Sequence, residues 1–133
     1  MTIPQLDIKD GTQVQYSIYA TDNAGNTENT AYSSLFTYDC LAPVTTDDSV
    51  SFSAWQSNSV TITLTPIDTG SSVSSTKYCV DQTDSCTPSI SGTSVLVNTP
   101  GINYIRYNSA DNAGNIESIK SATNNPIRID MNL

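Results

Sequence analysis

An eight-residue stretch of this chain recurs with six of its residues unchanged, and the repeat limits what the chain can fold into. Thr21-Asp22-Asn23-Ala24-Gly25-Asn26-Thr27-Glu28 returns as Ala110-Asp111-Asn112-Ala113-Gly114-Asn115-Ile116-Glu117, 89 residues later if Asp22 is laid on Asp111. The same offset runs upstream without a gap. Leu6 and Ile8 fall on Val95 and Val97, and Tyr16, Ile18 and Ala20 fall on Ile105, Tyr107 and Ser109. Downstream, Phe36-Thr37-Tyr38-Asp39 falls on Ile127-Arg128-Ile129-Asp130 at an offset of 91, so the second copy carries two extra residues. Apolar residues recur at alternate positions in both copies, the period of a strand with one buried face. A unit of about 90 residues is a whole small sandwich domain and too long for a solenoid repeat.

Strands follow from the same alternation. Ser59 to Thr65 sets Val60, Ile62 and Leu64 against Thr61, Thr63 and Thr65. Lys77 to Asp81, Ser94 to Asn98, Tyr104 to Ser109 and Ile127 to Met131 read as further strands. Turn residues at Asp68–Ser71, Ser91-Gly92, Pro100-Gly101 and Asn124–Pro126 separate them. No stretch carries a 3.6-residue period. The expectation is an all-β, immunoglobulin-like antiparallel sandwich. Residues 40–133 hold a complete domain of about seven strands. Residues 1–39 hold only the C-terminal half of a preceding repeat, about three strands, whose first four would lie before Met1. Such a half leaves an apolar face uncovered, which a second subunit would complete by strand complementation.

Composition narrows the function classes. Ser and Thr exceed a quarter of the 133 residues, charged residues are 14%, and the net charge is −8. An acidic chain with five Lys and Arg lacks the cations that phosphate backbones require, so nucleic acid is not an expected partner. No segment is long enough to insert in a membrane as a helix. Met1 to Gly11 has neither a basic n-region nor an apolar h-region and is no signal peptide. With no His, a Ser–His–Asp arrangement is excluded. No phosphate-binding loop is present, and no enzyme activity is expected.

Tyr16-x-x-Tyr19-Ala20-Thr21-Asp22-Asn23-Ala24-Gly25-Asn26-Thr27-Glu28 resembles the F-to-G hairpin, the last hairpin of the sandwich, in bacterial and archaeal Ig-like surface repeats. These include the hyalin-repeat-like and OmpL47-type modules. The stretch from Trp55-Gln56 through Val60–Pro66, Asp68, Gly70 and Tyr78-Cys79-Val80-Asp81 to Cys86-Thr87-Pro88 is similar to a version found in archaeal and metagenomic cell-surface proteins. The resemblance implies an extracellular or cell-surface location. Repeats of this kind often run from the last strand through an Asp-x-x-x-Pro linker into the next unit. Asp39-Cys40-Leu41-Ala42-Pro43 keeps that pattern and adds a cysteine; after Asp130 no Pro follows.

Individual residues carry competing readings. Asp22, Gly25 and Asn26, with Asp111, Gly114 and Asn115, build a tight turn, because Asp and Asn bond their own backbone and Gly accepts positive φ. The alternative is calcium on Asp22, Asn26, Asp111 and Asn115, weakened by one carboxylate per motif where calcium takes six or more oxygens. No other cofactor is indicated. Cys79 and Cys86 flank a short polar loop and read as a structural disulfide of an exported β domain. Cys40, the odd cysteine, reads as an intermolecular bridge, a free thiol or a small buried residue. Trp55 reads as a cap on the core, or, if exposed, as a platform for a sugar. Asp47-Asp48 and Asp81 with Asp84 read as solvated loop charge. Lys9, Lys77 and Lys120 are the lysines an internal isopeptide bond would need, with no motif to support one.

The leading functional expectation is a non-enzymatic structural module of a surface protein or filament. Its partners would be other copies of itself or adjacent repeats, engaged by strand complementation. The alternative is an adhesin or carbohydrate-binding segment, with Tyr19, Tyr32, Tyr38, Tyr78 and Tyr104 as a candidate aromatic row. An accessory domain of a secreted enzyme is the third reading.

Overall fold

The computed structural model describes residues 8–28 and 31–132. β5 (Val44–Asp47), β6 (Val60–Ile67) and β9 (Ser94–Val97) form one antiparallel sheet in the order β5-β6-β9. The facing sheet holds β7 (Val73–Asp81), β8 (Ile90–Ser91), β10 (Gly101–Asp111) and β11 (Lys120–Ser121), with β12 (Ile127–Ile129) on β10 beyond β11. β11 and β12 are two pieces of one interrupted last strand. Counted so, residues 44–129 carry the seven strands of an immunoglobulin-like sandwich.

The alternation in β6 is obeyed without exception from Val60 to Thr65: Val60, Ile62 and Leu64 are buried and the threonines between them are exposed. Opposite them Val95 and Val97 of β9 pair in register with Ile62 and Val60. Ile105, Tyr107, Ala122, Ile127 and Ile129 close the core from the other sheet, with Tyr78 and Val80 packed against it. Burying each of these aliphatic side chains contributes about 1.5–3 kcal/mol.

Observed strands overrun their sequence-predicted ends. β7 begins at Val73 and β10 runs from Gly101 to Asp111, because their inward positions there are Ser, Thr, Asn and Asp as well as aliphatics. β5, β8 and β11 carry too few apolar positions to show a period. A single 3-10 turn, Ser49–Phe52, links the first two strands of the sandwich and places Phe52 against the core. Trp55 does not cap the core: it is 58% exposed, and Phe52 occupies that role.

Ahead of the sandwich lie β1 (Thr12–Val14), β2 (Ser17–Ile18), β3 (Ala31–Tyr32) and β4 (Phe36–Tyr38). β1 pairs with β4 and β2 with β3, so they make one interrupted hairpin. Of the three strands expected in residues 1–39, the last two are this hairpin. The first, with Leu6, falls largely outside the described residues.

Candidate functional site

The two copies of the recurring octapeptide close their hairpins around the same Asp and Asn, with one backbone donor exchanged. The Asp22 Oδ1 accepts from the amides of Ala24 and Asn26 at 2.9 Å each, and Oδ2 accepts from Asn26 Nδ2 at 2.8 Å. Asp111 Oδ1 accepts from the amides of Gly114 and Asn115 at 2.7 and 2.8 Å, and Oδ2 from Asn115 Nδ2 at 2.8 Å. Gly25 and Gly114 sit at φ 88° and 97°, where a side chain is strained. The Asn26 amide, followed by the backbone donors, holds the Asp22 carboxyl below the usual carboxylate range. Each turn thus spends its one carboxylate on its own backbone, the geometry of the turn reading.

Strand pairing repeats as well. Ser17 faces Tyr32 and Ile18 faces Ala31, as Arg106 faces Ser121 and Tyr107 faces Lys120. Thr12, Gln13 and Val14 face Tyr38, Thr37 and Phe36, as Gly101, Ile102 and Asn103 face Ile129, Arg128 and Ile127. Register decides which face each side chain takes. The face of the first hairpin that carries Val14, Tyr16, Ile18, Phe36 and Tyr38 therefore corresponds to the core face of the second.

Burial separates the two. Ile105 and Tyr107 are 0% and 3% exposed, while their counterparts Tyr16 and Ile18 are 57% and 62% exposed. Phe36 and Tyr38 are exposed where Ile127 and Ile129 are sealed. The second hairpin is covered by β6 and β9 and flanked by β7; the first has no such partners among the described residues.

A buried polar network ties the second hairpin to the first strand of its sandwich. Glu117 Oε2 accepts from the Thr45 amide at 3.1 Å, and Oε1 accepts from the Thr45 hydroxyl. The Thr45 and Ser109 hydroxyls lie 2.7 Å apart, and those of Ser109 and Thr76 2.8 Å apart. Lys120 Nζ sits 2.7 Å from Glu117 and donates to the Thr45 carbonyl at 3.0 Å, so this lysine is spent on the ion pair. A second clasp holds the turn: Asn112 Nδ2 donates to the carbonyls of Ser71 and Ser72 at 2.9 and 3.0 Å. In the first hairpin the matching Glu28 and Asn23 side chains have no partner among the described residues. Glu117 ends the repeated motif, but its pairing with Thr45 is not legible in the sequence because 72 residues separate them.

The acidic pairs are not merely solvated charge. Burial pushes the Asp47 carboxyl up, but hydrogen bonds from Ser49, Thr123 and Tyr107 outweigh it and leave it below the ordinary range. Tyr107 Oη donates to Asp47 at 2.8 Å; its own burial first, and Asp47 second, push the phenol well above its usual value. Asp48 accepts from the Thr63 amide at 2.8 Å. Asp81 organises the loop closed by the Cys79–Cys86 disulfide, whose Cα atoms are 6.2 Å apart. It accepts from the amides of Asp84, Ser85 and Cys86 and from Thr83 Oγ1, and these donors, the Ser85 amide first, lower its pKa to about 2.

Cys40 is exposed and forms no disulfide within the chain, so it is not a buried small residue. Its neighbour Asp39 joins hairpin to sandwich: Oδ2 accepts from the Ser71 amide at 2.7 Å and the carbonyl accepts from Asn115 Nδ2 at 3.1 Å. The carboxylates of Asp39, Asp68 and Asp111 converge within 4.8 Å. All three are already engaged by donors of the surrounding loops. The five tyrosines do not form one row. Tyr38 and Tyr78 lie on core-type faces, while Tyr19, Tyr32 and Tyr104 alternate to the opposite ones. A depression lined by Ser75, Lys77, Asn108, Ser109, Ala110 and Ile116 offers about 80 Å³, against roughly 300 Å³ or more for small-molecule sites.

Fold and site together define an all-β, immunoglobulin-like sandwich with one disulfide, preceded by a second hairpin of matching register. Compared with family models, curated proteins and solved structures, the chain matches none.

Proposed function

We propose that this chain is a non-enzymatic structural module of a repeat-built extracellular protein, and that its partners are repeats of its own kind. The observation that carries this reading is the duplicated hairpin, whose second copy has its apolar face covered by strands and whose first copy does not. An exposed face of Tyr16, Ile18, Phe36 and Tyr38 on one side of a hairpin has the apolar character of an interaction surface. The disulfide suits an oxidising compartment. The resemblance of the Asp22–Glu28 motif to Ig-like surface repeats supports the same placement.

A glycan array of the purified protein tests this against the carbohydrate-binding alternative. The expected result is no saturable binding. Saturable binding to one glycan class that Tyr19→Ala or Tyr32→Ala abolishes would overturn the structural reading in favour of an adhesin.

A further inference from the structure

The uncovered face of the first hairpin has a twin whose cover is known. In the twin, β5, β6 and β9 lie over the face and β7 flanks its edge, so the complement is a strand set, not a ligand pocket. We propose that the face of Val14, Tyr16, Ile18, Phe36 and Tyr38 docks the strand set that precedes such a hairpin in an Ig-like repeat. That partner is a polypeptide with the character of residues 44–89, since Leu6 and Ile8 already match Val95 and Val97 in the sequence, and it has no final hairpin of its own. The proposal rests on the reading of the chain as a module among its own kind and names which part of a neighbouring repeat is taken.

Two observations choose this occupant over an intact second copy. The first is a count. Residues 8–132 contain one such strand set and two final hairpins, and the set is already occupied by Gly101–Ile129. However copies of this chain exchange strands, one hairpin per copy stays uncovered. The second is polar complementarity. Glu28 is fixed at the border of the face by its amide, which donates to the Ala20 carbonyl at 3.0 Å as Glu117 does to Ser109. Glu117 receives the amide and hydroxyl of Thr45, the second residue of the first strand of the sandwich. Glu28 presents the same acceptor, and Ala31 stands where Lys120 supplies a cation in the twin. Two hairpins packed face to face would bury two such carboxylates without donors, which costs several kcal/mol. A first strand of the Thr45 kind brings those donors, and Asn23 likewise matches the loop carbonyls that Asn112 holds.

The test extends the whole chain by a second copy of residues 41–89 joined to Met1, the register the 89-residue offset prescribes. Amide exchange is read in Thr12–Ile18 and Phe36–Tyr38, with the unextended chain beside it in a sedimentation series. The expected result is a rise in protection of those amides of about a hundredfold or more, with the unextended chain monomeric. Glu28→Gln should then lower the melting point of the added unit by about 5 °C and leave the unextended chain unmoved. A control that carries a complete copy of residues 41–130 ahead of residue 40 shows that the junction tolerates a folded unit. Unprotected amides in the extended chain while that control folds would overturn the proposal. So would a concentration-dependent dimer of the unextended chain that protects Thr12–Tyr38, since an intact second copy would then be the occupant. Neither failure touches the glycan result, which tests the underlying reading separately.

Discussion

At the residue scale, the repeat supplies its own controls. Glu117 and Glu28 occupy equivalent places, yet only Glu117 has a strand to bind. Glu117→Ala removes the acceptor for two donors of Thr45 and should cost about 2 kcal/mol in urea unfolding. Glu28→Ala in the same chain should cost less than about 0.5 kcal/mol. Equal costs would mean that Glu28 already has a partner. Asp81 gives a pH signature. Its pKa is depressed to about 2 in the folded chain, so its contribution to stability is complete above the ordinary carboxylate value near 4. It is lost as the pH falls through about 2. The gap in melting temperature between the parent and Asp81→Asn should therefore be constant from pH 7 to about 4.5 and shrink from there to pH 2. A gap independent of pH would contradict the assignment. The turn role of Asp22 and Asp111 was legible in the sequence because every partner lies within four residues. The role of Glu117 was not, since its partner is distant and Thr45 sits in a strand too short to announce itself.

At the element scale, legibility followed the density of apolar positions. β6 alternates over its buried stretch and could be read directly, whereas β5, β8 and β11 are held by hydrogen-bonded edges and show no pattern. Trp55 illustrates the converse: an apolar side chain beside a strong strand suggested a core cap, but the intervening 3-10 turn turned Phe52 inward instead. Ile62→Ala in the centre of β6 should destabilise by about 3 kcal/mol, and Thr61→Ala on its exposed face by less than about 0.5 kcal/mol. Similar losses at both positions would place the core elsewhere. Removing the Cys79–Cys86 link by Ser substitution of both residues should cost roughly 2–3 kcal/mol, without loss of the β signal in circular dichroism.

At the scale of the whole molecule, the sequence repeat defined the architecture before any strand was placed, since two hairpins separated by 89 residues require a domain between them. The asymmetry of burial emerged only in three dimensions: identical pairing, with one face sealed and the other at 57% and 62% exposure for Tyr16 and Ile18. That asymmetry is the observation on which the proposed docking of a strand set rests. Native-state amide exchange on the unmodified chain measures it most directly. Amides of Gly101–Asp111 and Ile127–Ile129 should open only through global unfolding and exchange about a thousandfold more slowly than their counterparts in Thr12–Ile18 and Phe36–Tyr38. Equal protection of the two hairpins in a monomer would contradict the central claim, because the first hairpin would then be covered by its own chain.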